Sequence, residues 1–397
     1  MPDTLLAGIK ILDLSRILAG PYCTMLLGDY GAEVIKIEQP ETGDGTRQWG
    51  PPWLDGESAY FLSVNRNKRS LTLNLKTSEG QGILKKLADE ADVLVENFRI
   101  GTTERMKIDY PTLSRDNPEI IYCSISGYGQ TGPYRERPGY DFMIQAQGGI
   151  MSVSGPADGE PHKVGVAIVD ITAGLFACTA ILAALHERTT SGFGQFIDVA
   201  LLDSQVAWLA NVAHNYFATG DPPNRYGNAH PNIVPYESFA TSNGHLALAI
   251  GNDRQFERFC RAADRTDLWQ EKRYQTNADR VENRKELVAE LSNLFLSRST
   301  ESWLELLLRY GIPVGPINDI PTVLEDPQVK ARNMVLEINH ATAGPIKMLG
   351  PVPKLSRTPA AINQPPPILG ADTEHILGDR LGYSKARIAE LREAKII

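Results

Sequence analysis

Ile9-Lys-Ile-Leu-Asp-Leu14, then Pro21–Tyr30, then Glu33-Val-Ile-Lys-Ile-Glu38: this opening stretch decides the fold. The first and last pieces are short apolar runs of strand length, so they read as buried strands. Between them Pro21–Tyr30 reads as a helix, and Gly31 stops it, because glycine takes the left-handed conformation that ends helices at no steric cost. The same alternation continues with a strand at Leu71–Leu75, an amphipathic helix at Ser78–Ala91, and strands at Val93–Glu96 and Ile120–Ser126. Strands separated by helices imply parallel crossover units, hence an α/β fold with helices on both faces of a parallel sheet.

The pattern changes after about Arg225. Tyr236–Ala240 and His245–Ile250 flank Ser242-Asn243-Gly244, and an Asn-Gly between two such runs predicts a hairpin. Helices follow at Arg254–Ala263, Arg284–Leu296 and Glu301–Tyr310, the last ended by Gly311 and Pro313. This reads as a smaller α+β domain. Pro351–Pro367 is proline-rich and predicts an extended connector. Short helices near Asp372–Leu381 and Ser384–Ala394 close the chain.

A chain of 397 residues exceeds one ordinary core, so two domains are the default. Its net charge of −8 argues against nucleic acid as a partner, since phosphate backbones need a basic face. Cys23, Cys123, Cys178 and Cys260 have neither CxxC spacing nor neighbouring histidines. That speaks against a zinc site or a disulfide framework, and for a reducing, cytoplasmic setting. Met1–Thr4 has no basic region, so no secretory signal is expected. The longest apolar stretch, Ala173–Leu185, is too short to span a bilayer, so no membrane partner is expected.

Gly127-Tyr-Gly129-Gln-Thr-Gly132 fits GxGxxG, but Pro133-Tyr-Arg-Glu-Arg-Pro138 follows it. A dinucleotide site needs a helix to open there, so a loop lining another pocket is the better reading. GxxxxGK[ST] and GxSxG are both absent, which leaves ATP-driven activation and a hydrolase elbow unsupported. Val166-Ala-Ile-Val-Asp170-Ile-Thr-Ala-Gly174 reads as a strand ending at Asp170, followed by the apolar helix Thr172–His186. Asp170 is then either an N-cap or a carboxylate placed where open α/β sheets bind ligands. The helix dipole favours the anion, so Asp170 is expected to be ionised at neutral pH. Asn65-Arg-Asn-Lys-Arg-Ser70, with Lys76 and Arg105, reads either as a solvated basic turn or as cations for a phosphate-bearing molecule. Arg225–Tyr236 contains His230, which has no partner at metal spacing, so no metal site is expected.

Taken in order, these pieces resemble class III CoA-transferases of the CaiB/BaiF type. The resemblance is carried by Gly8–Leu14 with Ala19-Gly20-Pro21, Gly31–Glu38, Asn65–Ser70, Val95-Glu-Asn97-Phe98, Ser126–Pro133, Tyr140-Asp141, Asp170 in its Val-Asp-Ile-Thr-Ala-Gly setting, and Pro367–Gly370. It covers essentially the whole chain. Within the family the chain looks closest to the dicarboxylate group, similar to succinyl-CoA:glutarate CoA-transferases. Gly45–Pro52, Ser63–Lys68, Tyr122–Gly129, Ala229-His230 with Ile233–Tyr236, and Tyr310–Asn318 carry that likeness. Two departures matter. Racemases of the family carry His where this chain has Tyr140, which demotes 2-methylacyl-CoA racemase to an alternative. Formyl-CoA:oxalate members carry Gln where Leu18 stands, which puts oxalate in doubt.

The resemblance implies an interlocked homodimer. In each chain, residues 1–200 and 340–397 would form the Rossmann-like domain and 226–330 the small one, joined by linkers 201–225 and 331–339. It implies that Asp170 is the nucleophile, that Tyr140 and Asp141 lie near the transfer centre, and that CoA or acyl-CoA is a substrate rather than a resident cofactor. By matching positions, CoA would contact Ile17, Ala19, Leu73, Lys76, Asn97, Phe98, Arg105 and Met106. A dicarboxylic acceptor needs a cation for its far end; Arg16, Arg47 and Arg137 are candidates, with His230 and Tyr236 as hydrogen-bonding helpers. A non-catalytic CoA-binding protein is the alternative from another functional class.

Overall fold

The computed structural model describes residues 4–397. The chain forms two compact units. One takes in the chain through Ile150 together with Val164–Ala213 and Pro327–Ile397, and the other takes in Met151–Lys163 and His214–Asp326.

The first unit contains β1 (Lys10–Asp13), β2 (Glu33–Glu38), a minor pair β3 (Trp53–Leu54) and β4 (Glu57–Ser58), β5 (Lys68–Thr72), β6 (Val93–Glu96), β7 (Ile121–Ser126) and β8 (Phe196–Ala200). Six of these form one sheet in the order β5-β2-β1-β6-β7-β8, with every neighbouring pair parallel. This is the doubly wound order, and it reverses direction between β1 and β6. The loops leaving the carboxyl ends of those two strands turn to opposite faces and open a crevice where such sheets bind ligands.

Alternate residues feed two cores, as the period-two geometry of a strand requires. Ile11, Val93 and Val95 pack on one face with Ala173, Ala177 and Ile181 of the helix Ile168–Ser191. Leu12 and Leu94 pack on the other face with Leu84, Leu87 and the C-terminal Ile376, Leu377 and Leu391. The helix Ile168–Ser191 has the length and composition to cross a bilayer, but half of its apolar window is buried in this structure. A core helix of a doubly wound α/β domain has the same character.

The second unit holds the antiparallel sheet β9 (Tyr236–Ala240), β10 (His245–Ala249) and β11 (Val314–Pro316). It packs on helices that include Asp253–Ala262, Arg284–Phe295 and Thr300–Arg309, around Phe239, Phe256, Phe259, Phe295 and Trp303. The Asn243-Gly244 hairpin forms as expected. A further hairpin, β12 (Val335–His340) with β13 (Gly344–Leu349), belongs to the first unit.

Two local expectations change. The strand expected at Leu71–Leu75 runs from Lys68 to Thr72, because Lys68 is buried by pairing with Asp13 and does not mark a loop. No strand ends at Asp170. The helix starts at Ile168 with Ala167 as its N-cap, so Asp170 lies in the first turn and is not the cap.

Candidate active site

A cleft of about 300 Å³ opens at the sheet's switch point. Its walls are the loop after β1 (Arg16–Ala19), the turn after β6 (Asn97–Ile100), the glycine-rich loop after β7 (Gly127 and Arg135–Tyr140), and Asp170. Each wall is held in a particular way.

The loop after β1 rests on a buried ionic layer. Lys68 Nζ donates to Asp13 at 3.0 Å, and Lys36 Nζ donates to the Ser15 carbonyl at 2.8 Å and pairs with Asp44 at 3.0 Å. Asp44 in turn accepts from the Ile17 N–H. Ile17 has φ +72°, a left-handed conformation costly for a β-branched residue. The Asp44 contact and the Asn97 amide hold it there: Asn97 accepts from Arg16 N–H at 2.9 Å and donates to Arg16 C=O at 2.7 Å. The charges of this layer are kept by their partners. Burial acts against the Asp13 anion, but Lys68 and Lys36 outweigh it and its carboxyl ends well below the usual range. Lys68 is lowered to about 8, chiefly by burial.

This overturns both readings of Asn65–Ser70. The segment is neither a solvated turn nor a source of phosphate-binding cations. Arg66 is buried against Asp29 through two hydrogen bonds, Lys68 is buried against Asp13, and the partly exposed Arg69 pairs with Glu33 at 3.1 Å.

The turn after β6 depends on Glu96, which the sequence did not single out. Its carboxylate accepts from the Phe98 N–H at 2.7 Å, and burial pushes it up to about 7. The glycine-rich loop closes on itself: a Cβ on Gly127 would lie 2.6 Å from Gly139 Cα. Only two glycines allow that approach. No helix follows until Asp141, so this GxGxxG is a cleft wall, as expected.

Asp170 is mostly buried, and its carboxyl is pushed up to about 7, first by burial and then by the like charge of Asp141. The expectation of full ionisation at pH 7 is therefore corrected, because the dipole is outweighed by desolvation and a second carboxylate. Asp141 does not line the cleft. It sits at the start of the helix Asp141–Gln147, and its Oδ1 accepts from the N–H groups of Val169 at 2.8 Å and Asp170 at 3.3 Å. Tyr60 feels both carboxylates: burial first, then Asp170 and Asp141, push its hydroxyl up. It packs edge-on to Trp49 at 5.0 Å. A half-buried tyrosine inside a short helix carries no local sequence signal.

Of the expected CoA contacts, Ile17, Ala19, Asn97 and Phe98 line this cleft. Leu73, Lys76, Phe98 and Met106 line a second hollow of about 210 Å³, and Arg16 and Phe98 border both. Arg105 borders neither and bonds Thr102 Oγ1 at 2.9 Å. Of the acceptor candidates, Arg16 and Arg137 line the cleft, and Arg99 and Arg135 join them. Arg47 does not: it forks onto Glu38 at 2.7 and 2.8 Å and stacks on Phe61. Tyr140 lines the cleft and is 62% exposed. His230 and Tyr236 lie in the second unit, ring against ring at 5.3 Å, with Arg284 donating to the His230 carbonyl. Among the described residues no cluster of His, Cys, Asp or Glu is arranged to hold a metal.

A crevice with a protonation-poised carboxyl, ringed by arginines, suits an acyl-transferring anion, and residues 6–373 match the family model for CoA-transferase family III. The chain belongs to that family. This family III CoA-transferase is 47% identical over 386 residues to "Succinyl-CoA:glutarate CoA-transferase" of Mus musculus, covering 97% of this chain and 88% of that one. It is 43% identical over 380 residues to "Succinate--glutarate CoA-transferase" of Agrobacterium fabrum, covering 94% and 95%. Among solved structures, a CAIB/BAIF family protein from Brucella suis superposes with a TM-score of 0.84 at 43% identity, over 96% of this chain and all of that one. The protein is an enzyme of the CoA-transferase class.

Proposed function

We propose that this transferase moves CoA from succinyl-CoA to a dicarboxylic acid such as glutarate, with Asp170 as the covalent carrier. The observation that carries the reading is one cleft that joins Asp170 to four arginines at the sheet's switch point. The relatives named above supply the donor and acceptor.

The Asp170 carboxylate attacks the thioester carbonyl of the donor. The C–S bond breaks, CoA leaves as thiolate, and a mixed anhydride forms. The thiolate then attacks the aspartyl carbonyl and releases the donor's carboxylate, leaving an aspartyl-CoA thioester. The acceptor carboxylate attacks the same carbon and expels the thiolate, which returns to the acceptor's carbonyl and frees Asp170. Each intermediate keeps the thioester's energy, so no nucleotide is consumed. The environment of Asp170 helps: burial and Asp141 disfavour the anion, and acylation, like protonation, removes that charge. Water must be excluded, because the anhydride hydrolyses. In this reading, backbone N–H groups of the glycine loops stabilise the oxyanions.

CoA lies across both hollows, with its nucleotide end near Lys76, Leu73 and Met106 and its thiol at Asp170. Arg16 and Arg137 take the acceptor's far carboxylate by a bidentate fork. The enzyme acts as a cytoplasmic, interlocked homodimer, in keeping with its four unpaired cysteines.

Incubating the enzyme with succinyl-CoA and hydroxylamine should leave a hydroxamate on Asp170, detected by peptide mass. Glutarate added instead of hydroxylamine should yield glutaryl-CoA, and Asp170→Ala should do neither. An unmodified Asp170 beside active turnover would end the reading.

A further inference from the structure

Gln145 is fully buried on the helix Asp141–Gln147, and the chemistry above does not use it. Its Nε2 donates to Asp141 Oδ2 at 2.6 Å, and its Oε1 accepts from the Val164 N–H at 2.8 Å. Asp141 Oδ1 meanwhile receives the N–H groups of Val169 and Asp170. The segment running into the nucleophile's helix is thus pinned at both ends by one short helix. The nucleophile's own helix supplies no cap of its own, since Ala167 makes no side-chain bond. The free N–H groups of a helix start must find acceptors, and here the acceptor comes from another element.

We propose that Asp141 and Gln145 act together as a positioning pair, a two-point clamp that fixes the backbone of Asp170 without touching substrate. This rests on Asp170 being the nucleophile. Every polar atom of the pair has an assigned role. Asp141 presents acceptors on both oxygens. Gln145 must offer its amide nitrogen to Asp141 and its oxygen to Val164. The pair also keeps a negative charge beside Asp170. The other titratable groups nearby are Tyr60 on its short helix and, lining the cleft, Glu136, Tyr140 and the arginines on the loops after β1, β6 and β7. Reversing the donor–acceptor order of the pair therefore tests the geometry apart from the charge.

Asp141→Asn removes the charge and sets an amide against the Gln145 amide, donor to donor. Losing a charge-assisted hydrogen bond of this kind corresponds to roughly a ten- to hundredfold fall in kcat, with KM for the acyl-CoA little changed. The acid limb of kcat/KM should move to lower pH, because the like charge beside Asp170 is gone. The double variant Asp141→Asn/Gln145→Glu restores the match: the new amide at 141 donates to the new carboxylate at 145, whose second oxygen still receives Val164 N–H. It should recover much of kcat. An Asp141→Asn enzyme with unchanged kcat, or a double variant no better than the single, overturns the clamp. If Asp141→Asn does not fold, Gln145→Ala reads the same quantity. It keeps the charge and loosens only the hold, so kcat should fall while the acid limb stays in place; unchanged kcat overturns the proposal. The hydroxylamine label on Asp170 in the unmodified enzyme separates the two levels. If the label is absent, the nucleophile is misassigned; if it is present and the pair variants behave as wild type, only the clamp fails.

Discussion

Asp170 pays as an anion twice, once for leaving water and once for facing Asp141. A carboxyl moved from 3.8 to about 7 represents at most roughly 4 kcal/mol of disfavour for the charged form. The sign for stability follows. The unfolded carboxyl ionises near 3.8, so above that pH the folded state increasingly carries the burden, in full above about 7. Asp170→Asn removes the charge at almost constant shape. It should abolish transfer while stabilising the protein by about 2 kcal/mol at pH 8, a gain that fades towards pH 4. Thermal melts across pH 4–8 check this. A variant less stable than wild type at pH 8 would mean that Asp170 is held by contacts favouring its charge. The same shift places the acid limb of wild-type kcat/KM near pH 7, since the form proposed to attack is the anion.

At the scale of elements, the spacing between Asp170 and the loop after β1 is set by one close crossing. Gly174 lies one turn beyond Asp170, and a Cβ there would come within 2.6 Å of the Ala19 carbonyl oxygen and 3.2 Å of the Tyr22 ring. The carbonyl belongs to backbone and cannot swing away, so Gly174→Ala must push the two helices apart. Overpacking of this kind costs about 1–3 kcal/mol, and it displaces Asp170 from the loop proposed to contact CoA. A lower denaturation midpoint together with reduced kcat is expected; unchanged kcat would show that the cleft tolerates the shift.

The elements themselves were largely legible in the sequence. Glu33–Glu38 and Val93–Glu96 form the strands read from their apolar runs, because both faces of a parallel sheet are buried. What stayed hidden is non-local. The start of the helix that carries Asp170 reads as a strand because Val166–Val169 is rich in β-branched residues, and its acceptor, Asp141, arrives from 28 residues upstream of Val169. Lys68 and Arg66 read as solvent-facing because their partners Asp13 and Asp29 lie 55 and 37 residues away. The role proposed for Asp170 rests on the family resemblance and not on a local pattern. Its elevated carboxyl required knowing what packs beside it.

At the scale of the whole molecule, one apolar surface of the first unit is uncovered. The helices Asp141–Gln147, Ile168–Ser191 and Leu201–Ala207 pack against one another. On their outer sides Phe142 is 57% exposed and Phe176 47%, and Met143, Leu175 and Val206 are exposed beside them. Large aliphatic and aromatic groups massed on neighbouring helices mark a surface meant for burial. The proposed second copy of the chain gives it a cover, because an isologous contact brings the same patch from both sides. The 43.7 kDa chain should then sediment at twice its mass. Interlocking adds a stronger expectation. Threaded chains cannot part without unfolding, so dilution alone should leave the doubled mass unchanged, and subunit exchange between tagged and untagged enzyme should need denaturant. Phe176→Arg places a charge in the contact and should give monomers or prevent folding. A wild-type enzyme that sediments as a monomer, or exchanges subunits readily on dilution, would leave this apolar face without the partner proposed for it.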